Sequence, residues 1–406
     1  MRTAATDRSG PGAAESAPDL PDLDRVVAEV AAAVGLAEGR SGVRDVVREI
    51  VRAEPVAVRE LARAAEMPVP IVTAVCNELR ARGVVDRNRP VQLTAEARGA
   101  LADLRPVLSG RCPTCFGTGF TVPGGLAPVA AELDRLAATM PAARVELDQT
   151  HCTVETKIRR VLALYETGAL VGKRLLVLGD DDLTSLAVAA FAAHTGIAAT
   201  LPGITVVDVD RDLLDFLARS ATGAGVDVEV VEHDARRPLP GGLREAFDTV
   251  CTDPPYTPAG AELFLSRAVS ALTPDAGQHV FLSFGARRPD ETLATQALIA
   301  SMGLVTRSLT PGFNSYAGAG ILAGTSHLYH LRGTEGAAPS IVDGYDGPLY
   351  TAETRSAPSR PYRCARCRAV HRVGPGERWP RIADLQDAGC PDCGGSVFRP
   401  MALSAR

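Results

Sequence analysis

The chain has 406 residues, 46% of them hydrophobic and 22% charged, with a net charge of −5. That length is enough for two or three domains, and that balance excludes a general attraction to nucleic acid or to an anionic membrane. No uncharged apolar run approaches the roughly 18 residues of a membrane span, and the first residues lack the apolar segment of a signal peptide, so the expected setting is the cytoplasm.

Residues 1–42, rich in Ala, Gly, Pro and Asp, are expected to be mostly disordered, with helical spacing at 21–36. Residues 43–106 read as a winged-helix domain. Residues 43–54 have helical spacing, and 56–87 read as helix, turn, helix with Leu61, Ala64, Ile71, Val75 and Leu79 inward. Residues 90–101 supply a wing and a closing helix. The second of the paired helices carries only Arg80 and Arg82, both at its end, which favours protein interaction or dimerisation over DNA reading. Residues 107–147 read as a linker containing Cys112-x-x-Cys115. Residues 148–333 alternate strand signals (174–178, 204–209, 227–231, 248–252, 278–284, 326–332) with helix signals (183–195, 211–222, 260–272, 291–302). This is the rhythm of a doubly wound, mostly parallel α/β sheet. Residues 334–361 form a second linker, and 362–398 hold two further Cys-x-x-Cys pairs.

Each strand end in 148–333 carries acid. The first ends at Gly179, Asp180, Asp181 and Asp182, and the second at Asp208 and Asp210. The third ends at Glu232 and Asp234, and the fourth at Asp253 with Pro254, Pro255 and Tyr256. In such a sheet ligands bind at the carboxyl ends of the strands. The order resembles the Rossmann-like class I S-adenosylmethionine-dependent transferases. That resemblance implies Gly179, Asp208 and Asp210 on the nucleoside side of the donor, Asp234 at the adenine amino group, and Asp253 gripping an amine. Pro254 and Pro255 stiffen that loop, and Tyr256 packs on the substrate.

The first loop departs from that pattern. A Gly-x-Gly turn would sit beside the methionine carboxylate, whereas three aspartates repel it. One like-charge contact at ~4 Å costs about 4 kcal/mol at an effective dielectric of ~20. Decarboxylated S-adenosylmethionine carries a sulfonium and a free ammonium, so the sign reverses. Between Asp180 and Asp253 there are fourteen Asp and Glu against five Arg and no Lys. A cationic polyamine acceptor suits the same crevice. "GDDDLTS" and "TDPPYT", with "CPTC", "DQTHCTVETKIRR" and "FNSYAGAGIL", are similar to the branched-chain polyamine synthases over roughly 43–353. Those enzymes transfer aminopropyl groups from decarboxylated S-adenosylmethionine to spermidine and release 5′-methylthioadenosine. The resemblance implies a homodimer. The expected catalytic residues are Asp181 as proton acceptor, with Asp253 as the alternative. Asp180 and Asp182 are expected at the aminopropyl ammonium, and His151, Asn314 and Tyr316 around the substrate. The Cys-rich tail lies outside the family pattern.

Cys364, Cys367, Cys390 and Cys393 have the spacing of a zinc ribbon with a structural zinc. Cys112 and Cys115 lack a second pair nearby. Two other functions fit parts of the chain. Asp-Pro-Pro-Tyr with the flanking modules suits an amino-group methyltransferase acting on nucleic acid or protein. A winged helix with a ribbon suits a non-enzymatic, polyamine-responsive regulator, but no basic face supporting nucleic-acid binding is evident.

Overall fold

Seven strands form the central sheet: β1 (Leu175–Leu178), β2 (Ile204–Asp208), β3 (Val228–Glu232), β4 (Thr249–Thr252), β5 (His279–Gly285), β6 (Leu304–Ser315) and β7 (Thr325–Gly333). Their spatial order is β3-β2-β1-β4-β5-β7-β6. β1 to β5 are mutually parallel, and β7 runs antiparallel between β5 and β6. The computed structural model describes residues 23–401 apart from 88, 106–111, 113, 116, 224, 318–323, 355–359, 374–377 and 380–381. The expected Rossmann-like α/β fold is present, with the order reversing between β1 and β4.

The strands that read as unbroken apolar runs are buried on both faces. β1, β2, β4 and β5 are buried throughout, whereas edge strand β3 is half-exposed. Alternate residues of β1 feed two cores. Leu175 and Val177 pack beneath helices Ala127–Ala137, Val154–Glu166, Thr184–Thr195 and Arg211–Ala221. Leu176 and Leu178 pack beneath Pro258–Ala271 and Pro289–Ser301 on the other face. No helix among the described residues is long and apolar enough to cross a membrane.

The helical spacing at 21–36 corresponds to helix Leu23–Val34, which buries Val26, Val27 and Val30 in one core with Val43, Val46, Ile50, Leu61, Val75 and Leu79. Residues 1–22 lie outside the described residues. Three features differ from expectation. Helix Ala127–Ala137, expected within a linker, buries Leu133 and Leu136 in the α/β core. Ala64 is exposed and Ala62 faces inward instead. Strand β6 carries no alternating signal because it is a solvent-facing edge, with register shifts on either side of Ser308–Thr310 and with Pro311 and Gly312 in the second.

The front core, residues 26–101, is closed by two isolated bridges, Val56 with Val91 and Val85 with Leu93. At the other end, β8 (Arg360–Cys364), β9 (Val370–Val373) and β10 (Phe398–Pro400) make a small antiparallel sheet in the order β10-β8-β9.

Candidate active site

Strand register brings the acidic ends to one level. Leu178, the last residue of β1, pairs with Val207 of β2 and Thr252 of β4, so Gly179, Asp208 and Asp253 follow side by side. They open into a cavity of about 570 Å³, lined also by Asp181, Pro254, Pro255, Tyr256 and Tyr316. Gln149 and Thr150 close it from the segment before β1, Arg287 from the end of β5, and Tyr350 from beyond β7.

The β1 loop turns sharply. Gly179 has φ +76°, which only glycine adopts without strain, and the buried Leu183 is held at φ +55°. Within this turn the three aspartates separate. Asp180 is fully buried and caps helix Thr184–Thr195, accepting from Thr184 N at 2.5 Å, Ser185 N at 3.2 Å and Ser185 Oγ at 2.5 Å. Burial pushes its pKa up to about 7. Asp182 is also buried and accepts from Arg160 Nη1 at 2.7 Å and Cys152 N at 2.5 Å. Burial works against its charge, but Arg160 and Lys157 outweigh that and hold its pKa below the ordinary carboxylate value. Asp181 alone faces the cavity, where its Oδ2 accepts from Thr150 N at 3.0 Å. Burial, then Asp182, Asp253 and Asp208, push its pKa well up.

Arg160 is the hub behind the site. Its Nη2 donates to Asp253 Oδ2 at 2.8 Å and to Tyr316 Oη at 3.2 Å, and its Nε to Asn314 Oδ1 at 2.8 Å. Tyr316 Oη donates to the same Asp253 oxygen at 2.6 Å and lies 2.8 Å from Tyr256 Oη. Burial raises Asp253 to about 6, Arg160 pulling against it. The Asp-Pro-Pro-Tyr turn is seated on helix Pro258–Ala271, where Gly260 lies so close to Pro255 that a Cβ would come within 2.2 Å of its carbonyl oxygen. Asp208 is clamped by Asp180 N at 3.1 Å and Asp210 N at 2.8 Å, one on each oxygen.

Several expected contacts are redirected. Asp180 and Asp182 face the protein interior, not the cavity, because helix capping and Arg160 claim their oxygens. Asp210 caps helix Arg211–Ala221 through Asp212 N and Leu213 N and accepts from Gln149 Nε2 at 3.0 Å. Asp234 accepts from Arg236 N at 2.9 Å, and His233 and Ala235 on either side line the cavity instead. His151 is half-buried beside the lining Thr150, and burial pulls its pKa down. Asn314 is no cover over the cavity but a fully buried strand residue, donating to Ser283 Oγ and Ser326 Oγ. Arg160, Lys157, Arg287 and Tyr350 went unrecognised. Lys157 and Arg160, spaced three apart, share one face of helix Val154–Glu166, and only its burial against the β1 loop shows that both have buried partners there.

The tail cysteines converge. The four Sγ atoms of Cys364, Cys367, Cys390 and Cys393 lie within 4.8 Å of one another. Cys364 to Cys393 and Cys367 to Cys390 are each 3.6 Å apart. Those separations exceed a disulfide bond and match the edge of about 3.8 Å expected for a tetrahedron of thiolates around a zinc-sized ion. Among the described residues, Cys112 and Cys115 join no such cluster.

The sequence profile of the branched-chain polyamine synthase A C-terminal domain matches residues 129–336. An uncharacterized protein of Methanocaldococcus jannaschii is 34% identical over 374 residues, 91% of each chain. N4-bis(aminopropyl)spermidine synthase of Thermus thermophilus is 32% identical over 270 residues, 65% of this chain and 74% of that one. The crystal structure of the T. thermophilus branched-chain polyamine synthase, in complex with N4-aminopropylspermidine and 5′-methylthioadenosine, covers 82% of this chain and 97% of its own. It does so at 28% identity with a TM-score of 0.64. Profile and fold agree with an acid-lined crevice at the strand ends, and the chain belongs to the branched-chain polyamine synthase family.

Proposed function

We propose that the chain transfers aminopropyl groups from decarboxylated S-adenosylmethionine to an amine of a spermidine-like polyamine, releasing 5′-methylthioadenosine. The observation that carries this reading is the placement of Asp181, Asp208 and Asp253 around one cavity whose lining, among the described residues, includes one arginine, Arg287. Burial raises all three pKa values, and neighbouring carboxylates add to it: Asp182, Asp253 and Asp208 at Asp181, Asp210 at Asp208, and Asp182 at Asp253. Such a site is relieved by a cationic donor and acceptor and penalises an added carboxylate.

Asp208 is held as a rigid acceptor whose remaining lone pairs suit two ribose hydroxyls. Asp253 Oδ2 is occupied by Arg160 and Tyr316, which leaves Oδ1 to receive an N–H of the acceptor amine. The amine attacks the methylene carbon next to the sulfonium. The C–N bond forms as the C–S bond breaks, sulfur keeps the electron pair, and 5′-methylthioadenosine departs neutral. The proton released by the attacking nitrogen passes to Asp181, the one aspartate of the β1 loop that faces the cavity, whose raised pKa makes it a stronger base than an exposed carboxylate. Alignment of two bound reactants in one cavity supplies much of the remaining acceleration.

The surrounding units serve this reading. The helices and two bridges of 43–106 support a winged-helix domain, suited to joining two copies as a homodimer. The four thiols support a zinc ribbon with a structural zinc, since a closed set of thiolates leaves no open coordination position.

The test is incubation of purified protein with decarboxylated or intact S-adenosylmethionine and a panel of polyamines, followed by mass analysis. The expected result is a mass gain of one or more aminopropyl groups with the decarboxylated donor only. Methylated products would instead favour an amino-group methyltransferase.

A further inference from the structure

The net charge of −5 is the sum of two unlike parts. Residues 360–401 hold eight Arg and four Asp or Glu, so this segment carries +4 and the remainder −9. The excess is concentrated on one side of the small sheet. Directly opposed residues share a face, and Arg363 of β8 is opposite Arg399 of β10 and Val370 of β9, while Pro361 is opposite Arg372. That face therefore carries Arg363, Arg372 and Arg399, all exposed, around a Val370 that is 49% exposed. Cys364, Val373 and Phe398 alternate to the other face and form the buried core, so the thiol cluster lies behind the arginines. Arg366 and Arg368, in the turn between β8 and β9, are exposed as well.

Two of these arginines face each other across neighbouring strands, an arrangement that destabilises a sheet. Neither Arg363 nor Arg399 makes an ion pair among the described residues. Arginine presents a planar fork of donors that matches phosphate oxygens, and a spaced row of them matches a repeating anion better than a single carboxylate. We propose that this outer face of the C-terminal sheet binds the phosphate backbone of a nucleic acid. The inference stands independently of aminopropyl transfer. It modifies the expectation drawn from whole-chain charge, which averages a basic unit with an acidic body.

The experiment is fluorescence anisotropy of the full-length, zinc-loaded protein with labelled oligonucleotides of about twenty residues, one RNA and one DNA, across a salt series. Engagement of about three phosphates on a single strand predicts log Kd rising with log salt at a slope near 2. Arg363→Glu with Arg399→Glu is expected to weaken binding at least about tenfold, with zinc content and aminopropyl turnover unchanged. Arg363→Lys with Arg399→Lys is expected to bind more tightly than the Glu pair but less tightly than the unaltered protein, since the charge remains while the bidentate fork is lost. The RNA and DNA arms identify which polymer is preferred, and binding of either supports the proposal. No salt-dependent binding of either, or equal binding by the Glu variant, overturns it. A Glu variant with normal oligonucleotide binding but altered polyamine KM also overturns it and assigns the face to the protein's own acidic body.

Discussion

The crevice at the ends of β1, β2 and β4 and the outer face of the C-terminal sheet carry opposite signs, yet they present the same physical problem. Each holds like charges close together. In the crevice most of the problem is solved internally. Asp182 takes Arg160, and Asp180 takes a helix N-terminus, leaving Asp181 to the cavity. On the sheet, Arg363 and Arg399 are left facing each other. The difference teaches that the number of charges in a run says less than which of them the fold has already compensated. The residues left over mark where an opposite charge from outside is expected.

Four experiments break or sharpen that comparison. The largest effect is expected at Asp181. Asp181→Asn should lower kcat by roughly 10²–10⁴, the usual scale for losing a general base, and an unchanged kcat would assign the proton to another group. Arg160→Met should destabilise the fold by about 3–5 kcal/mol in denaturant unfolding, because it strands two buried carboxylates. A loss below about 1 kcal/mol would mean that Asp182 and Asp253 protonate at little cost.

The third experiment is pH dependence. Asp253 at about 6 and Asp180 at about 7 lie above the unfolded value near 4. At these two groups the native state binds more protons than the unfolded state between about pH 4 and pH 7, which lowers stability as pH rises. His279 and His330, pulled down to about 4 by burial, act in the opposite sense below about pH 6.5. Asp182, with its depressed pKa, also acts against Asp180 and Asp253, and its contribution is lost only as pH falls below about 4. Thermal melts of the free protein should show Tm falling from about pH 6.5 to about pH 8, where the histidines are neutral in both states, with the slope flattened by saturating spermidine. A Tm that climbs across the same window contradicts burial-raised pKa values at Asp180 and Asp253. The smallest effect is expected at Arg287, whose Nη2 is buried without a hydrogen bond while its guanidinium lies 5.4 Å from the Phe284 ring. Arg287→Gln removes an arginine from the cavity lining and should lower KM for a cationic acceptor a few-fold. A raised KM would show that Arg287 contacts the acceptor favourably.

Much of this was legible in residues alone, for identifiable reasons. Strands β1, β2, β4 and β5 are apolar runs because both of their faces are covered, and the turn residues after them punctuate the chain. Gly179, Asp208 and Asp253 follow those strands directly, so parallel register places them together. What was not legible depends on the third dimension. The spacing of Asp180, Asp181 and Asp182 cannot say which one a helix N-terminus or Arg160 will claim. Edge strand β6 lacks the alternation that marks a half-buried strand, so nothing in the sequence placed Asn314 inside a strand. Tyr350 reaches the cavity from a Gly- and Pro-rich segment whose path is set by contacts such as Thr257 Oγ1 to Leu349 O at 2.9 Å and Arg236 to Glu353 at 2.6 Å. The paired arginines of β8 and β10 are 36 positions apart, and only the strand pairing reveals their shared face.

The central claim is that uncompensated carboxylates in the crevice select a donor lacking its own carboxylate. Isothermal titration of the protein with decarboxylated and with intact S-adenosylmethionine measures this directly. The account predicts that the decarboxylated form binds at least about tenfold more tightly, a difference of ~1.4 kcal/mol, and that Asp181→Asn narrows the gap. Equal affinities, or tighter binding of the intact form, would contradict it.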